Sequence, residues 1–193
     1  MSKLVVSQFI TLDGVIEDPG GSEGFGRGGW AFQFERGAEG DKFKLDELMA
    51  SDVLLLGRVT FEGFAAAWPS RTGEFADKFN TMRKYVVSTT LDEPVWSNST
   101  VIKANVADEV AKLKAEAGGD ILVNGSVQLV RTLLEHDLVD ELRLMVFPVV
   151  LGAGKRLFGD APGTVAFEPI ETKATGSVAI LTLERADASP PPE

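Results

Sequence analysis

Apolar positions along the chain fall into two alternating spacings. Leu4–Thr11 is a β-rich run, and Val53–Leu56 and Ile121–Val123 are short, wholly apolar stretches with the length of buried strands. Tyr85–Ser88, Thr100–Ile102 and Leu142–Val150 read as further strands. Between them the spacing turns helical. Asp41–Ala50 places Phe43, Leu45, Leu48 and Met49 at helical intervals, and Val59–Ala67 continues the pattern. Val106–Ala117 carries Val106, Val110 and Leu113 on one stripe, and Ser126–His136 turns Val127, Val130, Leu133 and Leu134 inward. Val165–Ala174 and Val178–Glu184 flank Thr175-Gly176-Ser177, a hairpin signal. Apolar strands that alternate with helices need a sheet covered on both faces. The pattern therefore predicts a three-layer α/β domain with a mixed sheet, closed by an antiparallel hairpin.

One segment breaks the alternation. Glu17–Gly40 holds eight glycines among Phe25, Trp30, Phe32 and Phe34. A loop this long inside a compact domain is functional or mobile. The chain of 193 residues fits one domain, residues 1–185, with a disordered tail at 186–193 built around Ser189-Pro190-Pro191-Pro192. The first residues read as a strand rather than a signal peptide, and no apolar run is long enough to span a membrane, so a cytoplasmic protein is expected.

Composition narrows the chemistry. With no cysteine, disulfides, thiolate catalysis and Cys-based zinc sites are excluded. The single histidine, His136, excludes a multi-histidine metal site and reads as a C-terminal-turn residue of a helix. No metal is expected. The net charge of −10 lacks the basic stripe that nucleic acid or an anionic membrane requires, so neither is an expected partner. An anionic cofactor must find its positive groups locally.

Two strand-to-helix junctions offer them. In Leu56-Gly57-Arg58-Val59-Thr60, the glycine lets backbone approach a ligand, and Thr60 caps the helix or donates to a phosphate. A cation at a helix N-terminus is unfavourable unless an anion sits there as well. Arg58 thus either reaches solvent or Glu62, or it serves an anion. In Val123-Asn124-Gly125-Ser126-Val127, glycine and serine open a helix directly after a buried strand. This is either a plain junction with Ser126 as N-cap or a pyrophosphate site. A third glycine-bearing segment, Pro148–Arg156, sets Lys155 and Arg156 after a strand, either as solvated charges or as contacts for an anionic substrate. Asp13, in the turn signal Asp13-Gly14, and Asp41 are the carboxylates available for acid–base work.

The ordered set Thr11-Leu12-Asp13-Gly14, Leu56–Glu62, Val86–Leu91, Gly119–Ser126, Leu138–Leu142 and Pro148–Gly154 resembles the reductase domain of the riboflavin-biosynthesis deaminase-reductase and stand-alone proteins grouped with dihydrofolate reductase. The resemblance spans residues 3 to 184. It implies a dihydrofolate reductase-like, mostly parallel sheet of about eight strands, flanked by helices. It further implies NADPH bound across the carboxyl edge of that sheet by a cytoplasmic oxidoreductase that is often a homodimer.

By the resemblance, Arg58 and Ser88 face the 2′-phosphate region, and Thr60, Gly125, Ser126 and Val127 hold the pyrophosphate beside Gly57. Val15 and Ile16 lie near the nicotinamide, and Trp30 flanks the substrate pocket. Dihydrofolate reductase has an acid in the helix after its tryptophan, and Asp41 falls in that region. Many members carry Ser-Arg-Thr where this chain has Ser88-Thr89-Thr90, which removes one phosphate ligand. The deaminase half needs a zinc site built from His and Cys, which this chain cannot form, so at most the reductase half is expected. The implied activity is NADPH-dependent reduction of a small heterocycle, with 5-amino-6-(5-phosphoribosylamino)uracil as the nearest named substrate. A dihydrofolate reductase and a non-catalytic nucleotide-binding protein on the same fold are the alternatives.

Overall fold

A computed structural model describes residues 2–159 and 163–186. The expected tail at 186–193 lies, beyond Ala186, outside the described residues. Eight strands form one sheet: β1 (Leu4–Thr11), β2 (Ser51–Gly57), β3 (Arg83–Val87), β4 (Ser99–Ile102), β5 (Asp120–Val123), β6 (Glu141–Phe147), β7 (Phe167–Thr175) and β8 (Val178–Arg185). Their order is β4-β3-β2-β5-β1-β6-β8-β7. Every pairing from β4 to β6 is parallel, and β8 runs antiparallel to both β6 and β7. The helices are α1 (Gly37–Ala50), α2 (Arg58–Ala67), α3 (Glu74–Thr81), α4 (Val106–Glu116) and α5 (Val127–Glu135). Among the described residues, no helix is long and apolar enough to cross a membrane.

The alternation of side chains along β1 shows why both faces are apolar. Leu4, Val6 and Ile10 pack with Val110 and Leu113 of α4 and with Leu129, Val130 and Leu133 of α5. Val5 points to the opposite face, where Leu54, Leu56 and Leu122 meet Leu48 of α1, Phe61 of α2 and Phe79 of α3. A third cluster beside it joins Trp30 to Phe147, Val178 and Ile180 under the closing hairpin. The edge strand β7 is mostly exposed; Pro169, a bulge at 169–171 and Glu168, Glu171 and Lys173 blunt it against further pairing.

Several boundaries differ from expectation for local reasons. The strand expected over Leu142–Val150 ends at Phe147, because Pro148 cannot donate to a ladder. Helix α1 begins at Gly37, four residues before the apolar spacing starts. Its inward face is not the expected stripe: Leu48 is buried beside Glu47, while Phe43, Leu45 and Met49 are only half-buried. Helix α3 carries no long apolar pattern, and the spacing does not predict it. It is held by an aromatic cluster in which Phe79 stacks on Trp68 at 4.7 Å and meets Phe64 and Phe75 edge-on. His136 is the C-cap of α5.

Candidate active site

Parallel strands deliver their carboxyl ends to one edge of the sheet, where α/β domains bind ligands. The two glycine junctions meet there. The Gly57 amide donates to the Gly125 carbonyl at 3.1 Å. A Cβ on Gly57 would lie 2.3 Å from Ser126 Oγ, and one on Gly125 would lie 2.9 Å from Thr60 Oγ1. Gly125 also has φ +121°, a region that side chains rarely adopt. The N-termini of α2 and α5 are therefore pressed together, and the glycines permit the contact. Ser126 caps α5 by accepting from the Leu129 amide at 3.4 Å. The N-terminus of α2 has no side-chain cap, which leaves its first-turn N–H groups open toward the edge. Arg58 sits there, half-exposed and paired with Glu62 at 3.2 Å. Uncapped amides, an adjacent guanidinium and the Thr60 hydroxyl form a donor set that suits a pyrophosphate.

Other residues expected to touch a cofactor are committed to structure. Ser88 is buried, and its hydroxyl accepts from the Thr90 and Leu91 amides at 3.1 and 3.0 Å. Val127 packs against the α4–α5 core. The Val15 side chain is fully buried and its amide donates to Thr11 Oγ1, while the Ile16 amide donates to the Lys155 carbonyl. Both side chains are buried.

Asp13 is an anchor, not a free acid. Its carboxylate accepts from Thr11 Oγ1 at 2.6 Å and from the Gly152 and Leu151 amides at 2.8 and 3.2 Å. Arg156 adds a pairing at 3.5 Å and donates Nε to the Asp13 carbonyl. The Thr11 hydroxyl bond and the two amides hold the carboxyl down at about 2, against burial. A group held that low is a poor proton donor near neutrality, so the expected acid–base role gives way to fixing loop 148–156 on the end of β1. Because the folded value lies below the ordinary 3.8, the unfolded chain takes up the proton first. The stabilisation is full above 3.8 and is lost as the pH falls toward about 2. The stability gap between the wild type and Asp13→Asn should shrink across that window in urea titrations. At neutral pH the Leu151 and Gly152 amides should exchange faster in the variant. A gap that does not change with pH would contradict the anchor. Lys155 pairs with Glu17 at 2.9 Å, so both cations expected at a substrate anion already have carboxylate partners.

The glycine-rich segment is ordered around a residue the sequence does not single out. Asp18 is 2% exposed at φ +49°. Its carboxylate accepts from the Ser22, Glu23 and Phe25 amides, and its carbonyl from Gly21 and Gly29. Gly28 packs so closely that a Cβ would lie 2.3 Å from Asp18 Oδ2. Arg27 reaches the Leu151 carbonyl and ties this segment to the loop that Asp13 anchors. Trp30 does not line a pocket: it is 1% exposed, edge-on to Phe147 at 5.3 Å, with Nε1 donating to the Glu17 carbonyl. Aromatic packing under the hairpin takes the ring inward.

A cavity of about 500 Å³ opens between β1 and the start of α1, lined by Phe9, Phe32, Phe34, Arg36 and Asp41 among others. Asp41 is thus at the cavity, but exposed and paired with Arg36 at 2.7 Å. Behind Phe9 lies a buried polar cluster that apolar spacing conceals. Lys44 donates to Ser7 Oγ at 2.8 Å and pairs with Glu47, whose carboxylate accepts from Ser7 Oγ at 2.9 Å. The one sequence signal for it was a Lys and a Glu at i and i+3 on α1.

The sheet order, the antiparallel β8 and the paired glycine junctions define a dihydrofolate reductase-like domain. The RibD C-terminal domain model matches residues 2–181, and the chain belongs to that family of reductase domains, which typically use NADPH. Two Bacillus subtilis (strain 168) relatives support the membership. The uncharacterized protein YyaP is 31% identical over 180 residues, covering 91% of this chain and 90% of that protein. The uncharacterized protein YwjB is 30% identical over 184 residues, covering 95% and 98%. A putative riboflavin biosynthesis protein from Shewanella sp. PV-4 shares the fold with a TM-score of 0.77 and 23% identity, over 97% of this chain and all of that one. Dihydrofolate reductase from Enterococcus faecalis, complexed with NADP(H) and RAB-propyl, superposes with a TM-score of 0.62 and 17% identity, over 96% and 97%.

Proposed function

We propose that this protein is an NADPH-dependent reductase of a small heterocyclic substrate. The nearest named reaction is reduction of 5-amino-6-(5-phosphoribosylamino)uracil in riboflavin biosynthesis. The observation that carries the reading is the meeting of the Gly57 and Gly125 junctions, with the uncapped start of α2 beside Arg58. When bound, the reduced nicotinamide supplies a hydride. The protein's part is placement. The amides at the start of α2, Thr60 Oγ1 and the Gly125–Ser126 turn hold the pyrophosphate. Arg58 leaves Glu62 for the 2′-phosphate. The loop that Asp13 anchors and the segment that Asp18 orders wall the edge from water, and the cavity between Phe9 and Arg36 takes the acceptor.

Arg58→Ala tests the cofactor half of this reading. A charge-assisted bond to phosphate contributes about 1.5–3 kcal/mol. NADPH affinity should therefore fall roughly 10- to 100-fold, with little change for NADH. Equal loss for both nucleotides, read by nicotinamide fluorescence, would remove Arg58 from the 2′-phosphate.

A further inference from the structure

The reduction needs a proton as well as a hydride, and the two carboxylates expected to supply it, Asp13 and Asp41, are poor sources. Asp13 is locked by four partners, and Asp41 is exposed and paired. His136 ends α5, at the opposite edge of the sheet from the helix's start. We infer that Lys44, held by Ser7 and Glu47, is the proton donor to a carbon–nitrogen double bond of the acceptor. The inference rests on the reductase reading.

Placement carries it. The Lys44 side chain is 12% exposed and that of Glu47 2%, so the ammonium is the member of the pair nearer solvent. Its Nζ lies 5.3 Å from the centre of the Phe9 ring, and Phe9 lines the cavity. Ser7 joins this ammonium to the cofactor edge. Its hydroxyl accepts from Lys44 at 2.8 Å, while its carbonyl accepts from Asn124 Nδ2 at 3.1 Å, one residue before Gly125. Lys44 Nζ therefore lies beside Phe9, a wall residue of the acceptor cavity, and is linked through Ser7 to the loop proposed to hold the cofactor. A buried carboxylate–ammonium pair is weak evidence for stability as such, because desolvation offsets much of the attraction. Here the pair fixes the ammonium in one place.

The step balances. The acceptor carbon takes the hydride from the reduced nicotinamide, and the C=N π pair moves to nitrogen. That nitrogen takes a proton from Lys44, which is left as the neutral amine and regains its proton from solvent. The cofactor leaves oxidised and the acceptor leaves as an amine. Glu47 and Ser7 act only through Lys44 and are positioning residues.

The test uses the full chain and two small probes: methylpyrroline, a neutral cyclic imine at alkaline pH, and its N-methylated iminium salt. The salt needs hydride but no proton. Lys44→Arg keeps a cation for Glu47, so the fold should survive, and thermal unfolding checks this. A guanidinium stays protonated and does not serve as the acid. With nitrogen-labelled lysine, the Lys44 Nζ signal should move when methylpyrroline is added without cofactor. Turnover of the neutral imine should fall roughly 100-fold or more in the variant, the usual contribution of a general acid. NADPH affinity and turnover of the iminium should not change. A Lys44 signal indifferent to the imine, equal losses for the two probes, or no loss for either would overturn the assignment. So would a wild type that binds NADPH but reduces neither probe. A wild type that does not bind NADPH fails the reductase reading instead, and the lysine signal still reports whether Lys44 meets the imine.

Discussion

Replacing Lys84 with methionine should cost about 2–5 kcal/mol of folding stability, because the backbone carbonyls served by its buried ammonium lose their donor. Lys84 lies in β3, 1% exposed. Its ammonium donates to three backbone carbonyls, Asn80 at 3.1 Å, Met82 at 2.9 Å and Ser97 at 3.0 Å, and lies 4.4 Å from the centre of the Trp96 ring. These carbonyls end α3 and turn the chain into β4, so one side chain closes the corner of the sheet. Methionine keeps most of the volume but no donor. Each carbonyl left without a partner costs about 1–3 kcal/mol. Burial pushes the lysine down to about 8 from 10.5. The unfolded chain therefore holds the proton over that window, and the wild type should gain stability relative to the variant as the pH rises from 8 to 10.5. Urea titrations of the two proteins would check both points. A loss below about 1 kcal/mol, the net value of one ordinary hydrogen bond, would mean that water replaces the ammonium.

Gly125→Val should abolish nucleotide binding and destabilise the fold together. Valine at φ +121° is strained, at about 1–3 kcal/mol, and its Cβ meets Thr60 Oγ1 at 2.9 Å, so the N-termini of α2 and α5 must separate. Gly57→Ala divides the two causes. Gly57 has an ordinary φ of −75°, so only the 2.3 Å approach to Ser126 Oγ opposes the methyl group. Overpacking of that kind costs about 1–3 kcal/mol. Both variants should lose binding, and Gly125→Val should lose more stability. Retained NADPH binding in Gly125→Val, measured by nicotinamide fluorescence on folded protein, would move the pyrophosphate away from this junction.

The parallel half of the sheet is plain in the sequence because strands buried on two faces must be apolar throughout, as Leu54–Leu56 and Ile121–Val123 are. The glycine junctions are plain for a related reason: Gly57 and Gly125 stand where a strand end meets a helix start. Other features depend on contacts distant in sequence. Whether Trp30 lines a pocket or fills a core is decided by Phe147, more than a hundred residues away. Asp18 looks like any loop acid until five amides close on its carboxylate and carbonyl. Lys44 and Glu47 escape a search for apolar stripes because α1 turns charge, not leucine, toward Ser7. Helix α3 escapes because its packing partners, Phe64 and Trp68, belong to the segment before it.

The most direct test of the account is a titration of the purified protein with NADPH and, separately, with NADH, followed by nicotinamide fluorescence and checked by thermal shift. Saturable binding with NADPH the tighter ligand is the predicted result. Absence of binding by either nucleotide would contradict the cofactor site at the Gly57–Gly125 junction, and the proposed reductase activity with it.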